Sequence, residues 1–185
     1  MLYTGKGDSG TSKLFDSEPG QRVGKDAPVF EALGRLDELT SYLGLCRVHS
    51  EKSGLSLKDQ SLQEIVERIQ HQLFNIQAEL AGADKHVRDS GVSQLEAWIA
   101  EVEEVIPPIN SFTLPGGSEL SAHFDISRTL VRRAERYVVA VSREQPERVS
   151  EETIAFLNRL SSVFFALARL TNHYLGVKEP APKYN

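Results

Sequence analysis

Arg128, Arg132 and Arg136 stand four apart in the stretch Ser111–Arg136, SFTLPGGSELSAHFDISRTLVRRAER. At about 100° per residue, this spacing lays the three guanidiniums along one shallow stripe of a helix. Asp125 and Glu135 fall in the same wedge, and Arg133 points about one residue-step away. Cations aligned this way repel one another unless something anionic is supplied. A solvated basic helix face would show the same spacing. Two features favour an anion-holding face instead. Arginine is used throughout, and its planar fork suits carboxylate or phosphate oxygens. A Pro115-Gly116-Gly117 turn also precedes the helix directly, so a ligand can approach the backbone closely.

A second candidate lies near the N-terminus. Residues 4–13, TGKGDSGTSK, contain three glycines, four hydroxyl residues and two lysines. Such a segment favours turns and exposes backbone N–H groups, as phosphate-cradling loops do. A Walker A loop is excluded, because the G-x-x-x-x-G-K-[ST] spacing is absent. A plain flexible tail has the same composition, and the residues leave both readings open. Lys25 follows just before the first helix. Other chemistries find less support. Di-iron bundles need Glu-x-x-His on two helices, a pattern this sequence lacks. The five histidines are scattered: Glu67 with His71 and Glu119 with His123 stand four apart, but neither is paired with a second such arrangement, so no metal site is expected. Cys46 lies on an apolar helical face, where packing outweighs reactivity. No nucleophile elbow or triad order is present.

Five helices must position these groups. The first starts near Asp26 with Pro28 at an early position, and Phe30, Leu33, Leu36, Leu39 or Thr40, Leu43 and Cys46 form its buried stripe. Asp37 and Glu38 sit in its middle, able to meet arginines or face water. A long helix is expected from about Lys58 to Gly82, with Leu62, Ile65, Ile69, Leu73, Ile76 and Leu80 inward. Ser93-Gln-Leu-Glu96 reads as a capping box opening a shorter helix through Trp98 that Pro107-Pro108 stops. Ser118 caps the arginine helix, which buries Phe124, Ser127, Leu130, Val131, Ala134, Val138 and Val141 and ends before Pro146. Ser150 opens the last, with Leu157, Leu160, Phe164, Leu167 and Tyr174 inward and Gly176 as its stop. The fold class is all-α: one domain over residues 1–185, with a non-helical segment at 1–25 and a five-helix bundle at 26–176.

Composition narrows the function classes. The net charge of −5 argues against general nucleic-acid binding and makes the arginine stripe a local feature. A single cysteine precludes an intrachain disulfide and suits a reducing compartment. No apolar run approaches the roughly 20 residues of a membrane span. No signal or transit pattern opens the chain, so a cytoplasmic setting is the expectation.

Four ordered stretches resemble one family: YTGKGDSGTSKLF, VFEALGRLDELTSYLGL, FTLPGGSELSAHFDISRTLVRRAER and FLNRLSSVFFALAR. Together they resemble the PduO-type ATP:cob(I)alamin adenosyltransferases. The resemblance implies a five-helix bundle assembling as a homotrimer with active sites shared between subunits. It also implies transfer of the 5′-deoxyadenosyl group of ATP to the cobalt of a reduced corrinoid such as cobalamin, with Mg²⁺ on the phosphates and a corrinoid reductase as a possible partner. Carried over by position, Thr4, Gly5, Lys6, Gly7, Ser12 and Lys13 match the ATP loop. Lys25 and Asn158 match ATP-binding residues, and Arg132, Glu135 and Arg136 match the nucleotide-binding part of the arginine helix. Arg128 and Arg133 match further arginines of that motif. Asp37 resembles an aspartate that pairs across the subunit interface with the arginine at Arg132. Phe112 resembles the aromatic that displaces the corrinoid's lower axial ligand, although an aromatic beside a glycine turn also fits a plug for the end of the bundle.

Four positions depart from the family pattern. Lys6 stands where a threonine is usual, Thr40 replaces an asparagine, Ser162 an aspartate, and Asp125 a frequent histidine. These departures motivate an alternative, an ATP-binding trimeric regulator or corrinoid chaperone without turnover.

Overall fold

The computed structural model describes residues 2–184. Ahead of the first helix the chain folds into a small ribbon, β1 (Thr11–Ser12) pairing antiparallel with β2 (Val23–Gly24). Proline, glycine and serine then set the limits of the helices. Helix α1 (Pro28–Ser53) opens on a proline, whose missing N–H no helical bond requires, and closes at Gly54 with φ 65°. A hairpin of β3 (Ser56–Leu57) and β4 (Gln60–Ser61) follows, turning on Lys58 with φ 49°. Ser61 and Glu64 form a capping box in front of α2 (Leu62–Leu80). The long second helix is therefore shorter than its periodicity suggests, because Lys58–Ser61 are used by the hairpin.

Helix α3 (Asp89–Val105) starts four residues before the expected box at Ser93. The Ser93 hydroxyl donates to the Asp89 carbonyl inside the helix, and Gly91 packs against Val87 and Phe156. Helix α4 (Glu119–Glu144) is capped by Ser118, whose hydroxyl accepts from the Ser121 N–H. A 3₁₀ turn at Pro146–Arg148 leads to α5 (Glu151–Tyr174), capped by Ser150. Among the described residues these are the five α-helices of an all-α bundle.

The helices alternate in direction. Pairings Arg35–Tyr137, Glu38–Arg133 and Tyr42–His123 run in opposite order along α1 and α4. Asn158–Glu135 and Arg169–Asp125 do the same for α5 and α4. Helix α4 packs between α1 and α5, with α2 against α1 and α3 against α5. As a result α5 is covered on nearly all sides from Val163 to Asn172. It is long and apolar enough to cross a membrane by length and composition, but 67% of its most apolar window is buried inside the protein.

The expected stripes line the core with three adjustments. In α1 the buried face runs through Val29, Ala32, Leu36, Leu39, Thr40, Leu43 and Cys46, leaving Phe30 and Leu33 at its margin. Leu130 is likewise marginal in α4, and Tyr174 is exposed because α5 is in its last turn there. Thr40 owes its burial to hydrogen bonds: its hydroxyl donates to the Leu36 carbonyl at 2.7 Å and accepts from Gln77 at 3.0 Å.

Phe112 does not plug the bundle, being 80% exposed, whereas Phe164 is fully buried against Phe124. Phe164→Ala should therefore lower unfolding free energy by about 3–5 kcal/mol. Phe112→Ala should stay within about 0.5 kcal/mol of the parent, as surface substitutions do. Urea denaturation of both variants checks the contrast.

Candidate active site

The arginine face is an open surface. Arg132 and Arg136 are exposed and Arg128 is half-buried. Arg136 donates from Nη1 to the Arg132 carbonyl at 2.9 Å, which lays its guanidinium back along the stripe. Arg128 Nε is buried without a hydrogen-bond partner among the described residues. Beside the stripe, Glu135 accepts from the Asn158 amide at 3.1 Å, so α4 and α5 present an oxygen-rich edge next to the cations. Arg159 also donates to the Asn158 Oδ1 at 2.9 Å.

Arg133 turns the other way and pairs with Glu38 of α1. The Arg133 guanidinium holds the Glu38 carboxyl below its ordinary range, with help from Arg35. Arg133 is thus a tie between helices in this chain. Asp37 is exposed and forms no ion pair among the described residues, so a single chain does not bring it to Arg132.

The N-terminal segment is held in place and does not trail as a tail. Lys25 donates from Nζ to the Gly7 carbonyl at 3.0 Å and from its backbone N–H to Gly10 at 2.9 Å. The Asp8 N–H donates to the Gly5 carbonyl, and the Lys6 N–H to the Thr4 hydroxyl. Ser12 lies in β1 and Lys13 follows it, exposed. Downstream, Leu14 is buried, the Phe15 N–H donates to the Ala81 carbonyl at 2.7 Å, and Asp16 pairs with Arg148 at 2.7 Å. This segment sits where α2 ends and α5 begins.

Phe112 lies at the opposite end, between α3 and α4. Its loop is tied by groups that the spacing of the arginines did not reveal. Arg169, 4% exposed, reaches out of α5 to Asp125 at 3.0 Å, to the Thr113 hydroxyl at 2.9 Å and to the Glu179 carboxylate. Asp125 in turn accepts from the Gly116 N–H at 2.8 Å. Asn172 donates to the Gly116 carbonyl at 2.9 Å and accepts from the Ser118 N–H at 3.1 Å. A β-carbon on Gly117, at φ 111°, would come within 2.7 Å of the Asn172 amide nitrogen. The turn must therefore be glycine for reasons of conformation and of space. Asp125 is 4% exposed, so it belongs to this buried pair and not to the free edge of the arginine stripe. One signal was present in the sequence: Arg169 is the lone charge in FFALARL, an otherwise apolar run.

Cys46 is buried, hydrogen-bonded to Ser127 at 3.3 Å, and burial pushes its thiol up to about 11. It packs in the core. His49, which the sequence left isolated, comes to Glu119 and His123.

Residues 2–171 match the model of one family, cobalamin adenosyltransferase. The chain belongs to that family. Among its relatives is the corrinoid adenosyltransferase PduO of Citrobacter freundii, 38% identical over 179 residues, which cover 93% of this chain. The chain spans about half the length of that relative, 50%. The corrinoid adenosyltransferase of Bacillus subtilis is 38% identical over 180 residues, covering 95% of this chain and 89% of that protein. Among solved structures, a variant of the PduO-type ATP:corrinoid adenosyltransferase from Lactobacillus reuteri, with phenylalanine replaced by alanine and complexed with cobalamin and ATP, has a TM-score of 0.86 and 31% identity over 100% of both chains. The adenosyltransferase fold thus extends from the N-terminal ribbon through α5.

Breaking a buried ion pair by removing one partner leaves the other charge without compensation, typically at about 3–5 kcal/mol. Arg169→Ala should destabilise the protein by that amount, and the Pro-Gly-Gly turn should lose its anchor. Hydrogen exchange would show faster exchange at the Gly116 and Ser118 amides than in the parent.

Proposed function

We propose that this chain transfers the 5′-deoxyadenosyl group of ATP to the cobalt of a reduced corrinoid and releases triphosphate. The observation that carries this reading is the open row of Arg132 and Arg136 beside the Glu135–Asn158 pair, in a chain of the cobalamin adenosyltransferase family. The solved neighbour complexed with cobalamin and ATP supports both substrates.

The protein need not supply a nucleophile, since Co(I) of the corrinoid attacks C5′ itself. A cobalt–carbon bond forms, the C5′–oxygen bond breaks, and the electron pair leaves on triphosphate. The chain has to align the partners and stabilise the charge on the leaving group. Arg128, Arg132 and Arg136 offer forked donors for the phosphate oxygens, and the unpartnered Nε of Arg128 gains an acceptor when an anion arrives. Lys25 and the Thr4–Gly7 turn supply a second cationic, N–H-rich surface. Mg²⁺ carried on the phosphates prefers hard oxygen ligands, and Glu135 is the carboxylate beside the stripe suited to it.

These surfaces do not converge within one chain. The N-terminal loop and Phe112 lie at opposite ends of a bundle whose 26-residue α4 is about 39 Å long at 1.5 Å per residue. A site that uses both is assembled from neighbouring copies; that these form a homotrimer, with Asp37 of one subunit meeting Arg132 of the next, rests on the resemblance of the motifs to the family. The exposure of Phe112 on a pinned loop supports a role in excluding an axial ligand and so easing reduction of the Co(II) form. Two of the departures are parts of the scaffold, Thr40 between α1 and α2 and Asp125 against Arg169, which favours turnover over a regulator without it.

Anaerobic assay with reduced cobalamin and ATP should yield the light-sensitive cobalt–carbon product; tight ATP binding with no product would favour the regulator. Arg132→Ala should weaken or abolish transfer, because losing a charged hydrogen bond of this kind removes about 1.5–3 kcal/mol, roughly 10- to 150-fold. Wild-type ATP affinity and turnover in that variant would sink the assignment. With ATP the parent should show a four-coordinate Co(II) spectrum; Phe112→Ala should keep ATP binding, lose that spectrum, and be rescued in part by pre-reduced Co(I).

A further inference from the structure

Away from the arginine stripe, the antiparallel packing of α1 on α4 creates a cluster that neither helix holds alone. Glu119 and His123 stand one turn apart at the start of α4, and His49 reaches them from the last turns of α1. The imidazole rings of His49 and His123 lie 4.6 Å apart between centroids, with planes inclined at 43°. His49 Nδ1 is 3.8 Å from a Glu119 carboxylate oxygen. One ligating atom from each of the three residues falls within 4.8 Å of the others. Tyr42 Oη is hydrogen-bonded to His123 Nδ1 at 2.8 Å, which leaves Nε2 as the free nitrogen of that ring.

We infer that His49, Glu119 and His123 form a site for a divalent transition-metal ion of the zinc type, bound through two imidazoles and one carboxylate with a position open to water.

The chemistry of the donors sets the class of ion. Two nitrogens and one oxygen suit Zn²⁺, Co²⁺ or Ni²⁺, whereas Mg²⁺ prefers oxygen alone, so this site is separate from any Mg²⁺ on phosphates. Zn–N bonds of about 2.0–2.1 Å in a tetrahedral set place donors roughly 3.3 Å apart. The cluster must therefore tighten. Glu119, whose side chain is 77% exposed, can swing to do so, while the two rings already face each other and Tyr42 fixes that of His123. A metal-bound histidine donates its other ring N–H to an outer acceptor, and Tyr42 Oη is placed to accept from Nδ1–H. A simple Glu–His ion pair would account for one histidine. It leaves unexplained the second ring facing it and the tyrosine behind.

Co²⁺ is the probe. Cobalt(II) chloride is titrated into chelator-washed full-length protein without nucleotide or corrinoid, and the visible absorption of nitrogen- and oxygen-bound Co²⁺ is followed. One ion per chain should saturate the band, and Zn²⁺ should displace it. His49→Ala and His123→Ala should remove the band, Glu119→Gln at its exposed position should weaken binding at least about tenfold, and Tyr42→Phe about tenfold. His71→Ala and His86→Ala, away from the cluster, should leave it unchanged. Absence of a saturable band, or a band that Glu119→Gln and His49→Ala both leave untouched, overturns the proposal.

Discussion

Most of the site's geometry depends on one buried ion pair, Arg169 with Asp125. Neither side chain has water to solvate it, so each must be fully partnered or the fold loses several kcal/mol. The partners it recruits are the parts of the chain that have no regular structure of their own. Thr113, Gly116 and Glu179 all bond to one or other member of the pair, and Asn172 completes the set from the next turn of α5. A loop that would otherwise wander is thereby fixed against the most deeply buried helix. The arginine stripe on α4 inherits its starting point from the same contacts, because Ser118, its cap, is bonded to Asn172.

The helical frame was legible because its signals are local. Pro28, Ser118, Ser150 and Gly176 each act within a turn of their own position, and the apolar stripes of α2, α4 and α5 follow a simple period. The misplaced start of α3 shows the limit of local reading. Ser61-Leu-Gln-Glu64 and Ser93-Gln-Leu-Glu96 have the same pattern, yet only the first is a cap. The hairpin before Ser61 leaves the backbone extended there, whereas Gly91 against Phe156 and the buried Val87 carry helix α3 back to Asp89. The same two letters therefore do different work depending on what packs ahead of them.

The site was legible in part. Arginine spacing and the glycine turn pointed to the exposed row on α4, and the stretches that resemble the family pointed to Lys25, Asn158 and Phe112 as candidates. What stayed hidden were contacts across long separations in the chain. Arg169 meets Asp125 from 44 residues away, and His49 meets His123 only because α1 and α4 run antiparallel. No window along the sequence contains both members of either pair. The exposed groups have a further reason for escaping a single-chain view: Arg132 and Asp37 face outward and have no ion-pair partner among the described residues.

The bonds from Glu179 to Arg169 and Asn172, and from the Leu114 N–H to the Pro180 carbonyl, impose an order on biosynthesis. Helices α1, α2 and α4 can pair as they leave the ribosome, since α2 and α4 both meet α1, whereas α3 waits for α5. The loop before α4 emerges early but cannot be clamped until α5 and the residues up to Pro180 have followed it. Until then Asp125 is a carboxylate waiting for its arginine, on a surface that α5 has yet to cover. The part of the molecule that holds Phe112 is translated in the middle of the chain and completed only after everything through Pro180 has been made.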